Sequence, residues 1–251
     1  MKIYVLQLLL LAGVAGASCA TSRAERTSTR MNPSPQVRSD GPTPAAPVAH
    51  QHSGAHVRTT ELRRPDAADR RRADEIVRAA RGAVGKYEDY RVALGEGYEI
   101  LAPDVPQGMY HFNHFGNAAE AERRFDPTRP TSLLYEKAGA GYRLIGVMYT
   151  APAGMGEDEL DGRIPLSVAR WHQHVNVCLP PGAGWQEGIF AADARFGLSG
   201  SIETAEACRR AGGRFLPRLF GWMVHLYPFE KDAADAWSHE RQMLAGGHHK
   251  H

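Results

Sequence analysis

The sequence predicts an α+β domain: an antiparallel sheet or small β-barrel core with an N-terminal helix and a C-terminal helix. Three observations predict it. A stretch opening at Pro65 carries apolar residues at helical spacing. Several later stretches are short, β-rich and bounded by Gly or Pro, with no long helical run between them. A last stretch, "EKDAADAWSHERQML", reads as helix again.

The chain begins "MKIYVLQLLLLAGVAGASCATS". Lys2, an apolar run from Ile3 to Val14 and then small residues follow the order of an export signal, and the run is shorter than the ~20 residues of a spanning helix. Residues 1–18 are therefore expected to be a signal peptide, with a lipid on Cys19 as the membrane anchor. The "GASC" segment has Gly16 where such signals prefer Leu, so cleavage after Ala17 is the alternative. The mature chain is expected in the periplasm or on the outer membrane, otherwise secreted. Residues 19–64 are rich in Ser, Thr, Pro, Ala and Arg, and no aromatic residue occurs between Tyr4 and Tyr87. Such a segment buries too little apolar surface to offset its ordering entropy, and it reads as a disordered tether. A single globular domain is expected over 65–244, and a His-rich tail over 245–251. The formal net charge is +2, from 30 Lys and Arg against 28 Asp and Glu, and nothing in the pattern suits nucleic acid.

Within the domain, Pro65 and Asp66 make a helix start. Ile76, Val77, Ala80, Val84, Tyr87 and Leu94 recur at helical spacing, and Gly82 and Gly85 weaken the middle. One kinked helix or two is expected, ending near Gly95 or Gly97. "QGMYHFNHFGN" is strand-like, and "NAAEAERRF" is a short helix stopped by "DPTRP". "TSLLYEKAGAGYRLIGVMYTAP" is a β-hairpin turning at Ala138–Gly141, and "GMGEDELDGRIP" reads as an acidic loop. "RWHQHVNVCLPPG" is a strand ended by Pro180 and Pro181. "SIETAEACRRAGG" is a helix with Ser201 as N-cap and Gly212 as its stop. "RFLPRLFGWMVHLYPF" supplies one or two strands.

The strand after Arg170 raises the functional question. By alternation, His172, His174, Asn176 and Cys178 share one face, and Trp171, Gln173, Val175 and Val177 the other. A metal site and a solvated outer face both explain this. The chain has 12 His. His50, His52, His56, His248, His249 and His251 fall in the expected flexible ends; His111, His114, His172, His174, His225 and His239 fall in the domain. His111, His172, His174 and His225 sit on strand-like runs, so their imidazoles can converge on a transition metal, with Glu136 as a carboxylate ligand. A salt bridge from Glu136 to Arg143 or Arg170 is the structural alternative. His114 faces away from His111 on a strand, and His239 reads as a packing or surface residue. Copper and zinc lead as the ion, and iron fits two His with one carboxylate. No Met cluster is evident beside the histidines, so a soft Cu(I) site is not expected.

Of three Cys, Cys19 is taken by the lipid, and in an oxidising compartment Cys178 and Cys208 are expected to pair. That removes Cys178 as a ligand. No Gly-x-Ser-x-Gly run or phosphate loop is present, and the His-x-His pair lacks the following Glu of the cupin pattern.

"KYEDYRVALGEGY", "GMYHFNHFGN" and "DPTRPTSLLYEKAGAGYRLIGVMYTAP" together resemble a broad set of uncharacterised secreted bacterial proteins. Those carry a helix ending in Gly-Tyr, a Gly-Met run with His, a "DPxxPxxLLYE" strand and a "GVxY" strand. The likeness covers Lys86 to Pro152, with a looser match at the His-x-His strand. It implies that His111 and Glu136 are family features, and it implies no activity. The expectation is an exported envelope protein that binds a transition metal for storage, buffering or delivery. A metal-dependent oxygenase or hydrolase on the same site, and a metal-free binding module, are the alternatives.

Overall fold

In the computed structural model, residues 56–237 are described. Seven strands form one antiparallel sheet in the order β1-β6-β7-β5-β4-β3-β2, with β1 and β2 as free edges, so the core is an open sheet and not a barrel. The strands are β1 Val57–Thr59, β2 Glu99–Ile100, β3 Tyr110–Asn113, β4 Ser132–Ala138, β5 Gly141–Ala151, β6 His172–Leu179 and β7 Arg214–Leu226. The α+β class follows from this sheet and the helices around it.

Helix α1, Ala67–Val84, starts where the sequence places it: the Asp66 side chain accepts a hydrogen bond from Asp69 N at 2.8 Å. Ala73, Ile76, Ala80 and Val84 form its buried stripe. At Gly85 the chain tightens into a 3-10 turn, Gly85–Glu88, and restarts as α2, Tyr90–Gly95, capped by Asp89. The glycine-weakened middle is thus a real break. The hairpin of β4 and β5 turns at Gly139, whose φ of 55° suits glycine.

The stripe of α1 packs on one sheet face, made of Tyr110, Phe112, Leu133, Tyr135, Val147, Tyr149, Trp222, Val224 and Leu226. This is the main core. Alternation sends Met109, Leu134, Met148, Met223 and Tyr227 to the other face, where they form a second buried cluster. Two irregularities bend the sheet. On β5 the register shifts opposite Leu134 and Tyr135. On β7, Phe220 to Trp222 sit opposite Gln173 alone, because His172 pairs with Met223 while His174 pairs with Leu219. Phe220 takes φ 66° there, and a Cβ on Gly221 would stand 2.2 Å from Ala151 O.

Several expectations need correction. "GMGEDELDGRIP" is not a loop: α4, Glu157–Arg163, forms with Gly156 N donating to the Glu159 carboxylate at 3.1 Å. Three acidic residues in its first turn favour the helix N-terminus, and Leu160 and Ile164 reach the core. The run of acids hid those apolar positions. Helix α6, Ala205–Arg210, is capped by Thr204 and not by Ser201, while Gly212 at φ 73° ends it as expected. Two other short helices are α3, Phe115–Ala121, and α5, Trp185–Ile189. Of the closing helix only α7, Ala233–Ala236, is described. At the other end β1 pairs with β6, Val57 opposite His174, so the fold takes up chain from within the expected tether. It supplies hydrogen bonds to a strand that would otherwise be an open edge.

Cys178 and Cys208 are disulfide-bonded, with Cα atoms 5.7 Å apart. The bond ties β6 to α6, closes a loop of 30 residues, and is worth roughly 3 kcal/mol in the chain-entropy picture. The signal segment, Cys19, His50, His52, His239 and the His-rich tail lie outside the described residues. No helix among the described residues is long and apolar enough to cross a membrane.

Candidate metal centre

His111 comes from β3, His172 and His174 from β6, and His225 from β7. The His172 and His225 ring centroids are 5.2 Å apart, His172 and His174 5.6 Å, and His111 and His225 5.7 Å. The last distance is the informative one. β4 and β5 lie between β3 and β7, and in a flat sheet that is a separation of about 14 Å. Sheet curvature and side-chain reach close the gap. The register row from His111 runs through Leu134 to Gly146, where the missing side chain makes room for the Tyr227 ring. A Cβ at Gly146 would meet Leu226 O at 2.8 Å and the Tyr227 ring at 2.9 Å.

His172 and His225 are 3% and 1% exposed. His111 and His174 keep some residue surface, yet their Nδ1 atoms are sealed from solvent. All four Nδ1 atoms are buried without a hydrogen-bond partner. Thr59 Oγ1, on the residue paired with His172 in β1, is in the same condition. An unmet buried polar atom costs ~1–3 kcal/mol, so four imidazoles gathered this way are expensive unless something else satisfies them. Burial, then the neighbouring imidazoles, hold His111 down at about 4 and His172 at about 3. His174 is held at about 4, chiefly by burial, with the nearby His56 backbone opposing. His225 lies well below its ordinary value for the same two reasons. The cluster is neutral at pH 7, the form in which imidazole binds metals. As the rings stand, no three His, Cys, Asp or Glu side chains among the described residues are gathered as a bound ion would hold them.

The remaining expected residues fall elsewhere. Glu136 sits near the hairpin end of β4, opposite Arg143, with which it makes an ion pair; its side chain is 39% exposed. Glu136 is thus the salt bridge to Arg143 that the sequence offered as its alternative. Cys178 is spent in the disulfide with Cys208. His114 is the N-cap of α3, its Nδ1 accepting from Asn117 N at 3.1 Å, and its ring meets Tyr98 edge-on. His56, expected in a flexible end, is buried with Nε2 2.5 Å from Gly200 O.

The methionines were missed. Met223 precedes His225 by two on β7, so that pair shares a face, and Met109, just before β3 and two before His111, packs into the same buried cluster as Met223. Met148 on β5 is the register partner of His225. The signal was present as "MYH" and "MVH". It is a strand signal, invisible to a search for Met-rich runs.

A surface cleft beside α3 is lined by Glu120, Arg124, Asp126 and Arg129 among others. Glu120 there is already bridged to Arg124 at 3.0 Å and to Arg129 at 2.8 Å. No family model matches the chain, and no curated protein or solved structure matches it, so the meaning of the site rests on its own geometry.

Proposed function

We propose that the protein binds a transition-metal ion through His111, His172, His174 and His225. The observation that carries this is the set of four buried Nδ1 atoms without partners, converging from three strands. A metal–nitrogen bond of ~2.0–2.1 Å puts ring centroids around a tetrahedral ion roughly 5 Å apart, close to the separations of 5.7, 5.2 and 5.6 Å along the row of rings His111, His225, His172 and His174. Binding an ion requires the rings to turn about their side-chain torsions, since no three ligands among the described residues are gathered as they stand. The depth of His172 and His225 favours holding an ion over catalysis at an open coordination position. Storage, buffering or delivery in the cell envelope fits that depth together with the signal-like start of the sequence.

The test is metal content of the full-length protein with His50, His52, His248, His249 and His251 replaced by Ser, so that outlying imidazoles do not contribute. One equivalent of a transition metal is expected after loading and desalting. His172→Ala with His174→Ala should reduce it to below a tenth of an equivalent. A metal content unchanged in that double variant overturns the assignment.

A further inference from the structure

Resting on the metal reading above, the sulfur on the same face says which ion the site suits. Met109, Met148 and Met223 are buried in one cluster with Leu134 and Tyr227. Each adjoins a histidine: Met109 two before His111, Met223 two before His225 and opposite His172, and Met148 opposite His225. Glu136, the carboxylate expected at the site, is paired with Arg143 instead. Two physical consequences follow. Thioether sulfur beside neutral imidazole favours a soft ion. A site built only from neutral ligands also cannot offset the charge it takes in. The desolvation cost of an ion grows with the square of its charge, so a monovalent ion costs roughly a quarter of what a divalent one does in such surroundings.

We propose that the centre is a monovalent-copper site, in which thioethers from Met109, Met148 and Met223 complement the four imidazoles. Methionine is also a common filler of irregular apolar space, and the experiment has to separate the two roles.

In the same full-length background, Cu(I) affinity is measured anaerobically by competition with bicinchoninate, and Zn(II) affinity with a chromophoric chelator. Met148→Leu with Met223→Leu, and Met109→Leu separately, conserve volume and are expected to fold. At least one should weaken Cu(I) binding tenfold or more while changing Zn(II) binding less than threefold. X-ray absorption of the copper-loaded parent should show sulfur in the first coordination sphere. Equal effects on both ions, or none, together with an all-nitrogen copper environment, overturn the copper assignment and leave the metal reading standing. Failure to bind either ion overturns both.

Discussion

The two faces of the sheet treat their buried polar groups in opposite ways. Under α1, Tyr135 hydroxyl donates to Tyr87 O at 2.7 Å, Tyr149 hydroxyl to Pro127 O at 2.7 Å, and Tyr98 hydroxyl to Pro130 O at 3.3 Å. Burial raises the pKa of all three, so they stay neutral donors. The Trp171 Nε1 atom is an exception on that side. On the other face, four imidazoles leave Nδ1 without a partner. The first face is finished by the chain itself. The second leaves the four Nδ1 atoms unmet. On the metal reading proposed above, the contrast separates hydroxyls that find their acceptor within the fold from imidazoles that await a ligand.

The largest effect that tests this contrast is acid sensitivity of the metal-free protein. His111, His172 and His174 are held at about 4, 3 and 4 in the folded chain and return to about 6.5 when it unfolds. The unfolded chain therefore binds more protons throughout that window. Stability is present in full above pH 6.5 and falls as pH drops toward 4, by ~1.4 kcal/mol per pH unit for each histidine. Urea midpoints of metal-free protein should fall steeply from pH 7 to pH 5, and His225→Leu should make the slope shallower. A flat profile would show that the imidazoles are not held neutral.

Next in size is the filled face. Leu133 is fully buried in the main core, and Leu133→Ala should cost ~2–5 kcal/mol in urea unfolding while leaving metal content per folded molecule unchanged. Loss of metal binding from the folded variant would mean that the two faces are not independent. A smaller and sharper pair follows. Tyr135→Phe removes a satisfied hydroxyl and should cost about 1 kcal/mol, whereas His225→Leu in metal-free protein at pH 7 should cost nothing or stabilise. A marked destabilisation by His225→Leu would show that its imidazole has a partner within the chain. The smallest effect is expected at Glu136, whose bridge to Arg143 lies on the surface. Glu136→Ala should change stability by under ~1 kcal/mol and metal content not at all.

Some of this was legible residue by residue. Asp66 before an apolar-periodic run, and Gly139 between two β-rich runs, are local signals whose physics is complete within a few residues, and both elements form as expected. The paired cysteines follow from their number and the export-like start, and they are bonded. The strand placement of His111, His172, His174 and His225 was legible for the same reason. Glu136 was misjudged because an apolar strand context suggests burial, while the hairpin end lifts the residue to solvent beside Arg143. Thr204, and not Ser201, caps α6 because both types cap equally well and only the path of the chain chooses between them. β1 was lost in a polar segment because its role is to give backbone hydrogen bonds to β6, which any sequence can do.

What the sequence determined by itself was local: helix starts and stops, the hairpin, the alternation that puts histidine and methionine on a shared strand face, and the α+β class. The meeting of rings from β3, β6 and β7 was decided only in three dimensions. His111 and His225 come from strands separated by β4 and β5, and the sheet around them carries register shifts in β5 and β7. Curvature is a sum over the whole sheet, and no window of sequence contains it.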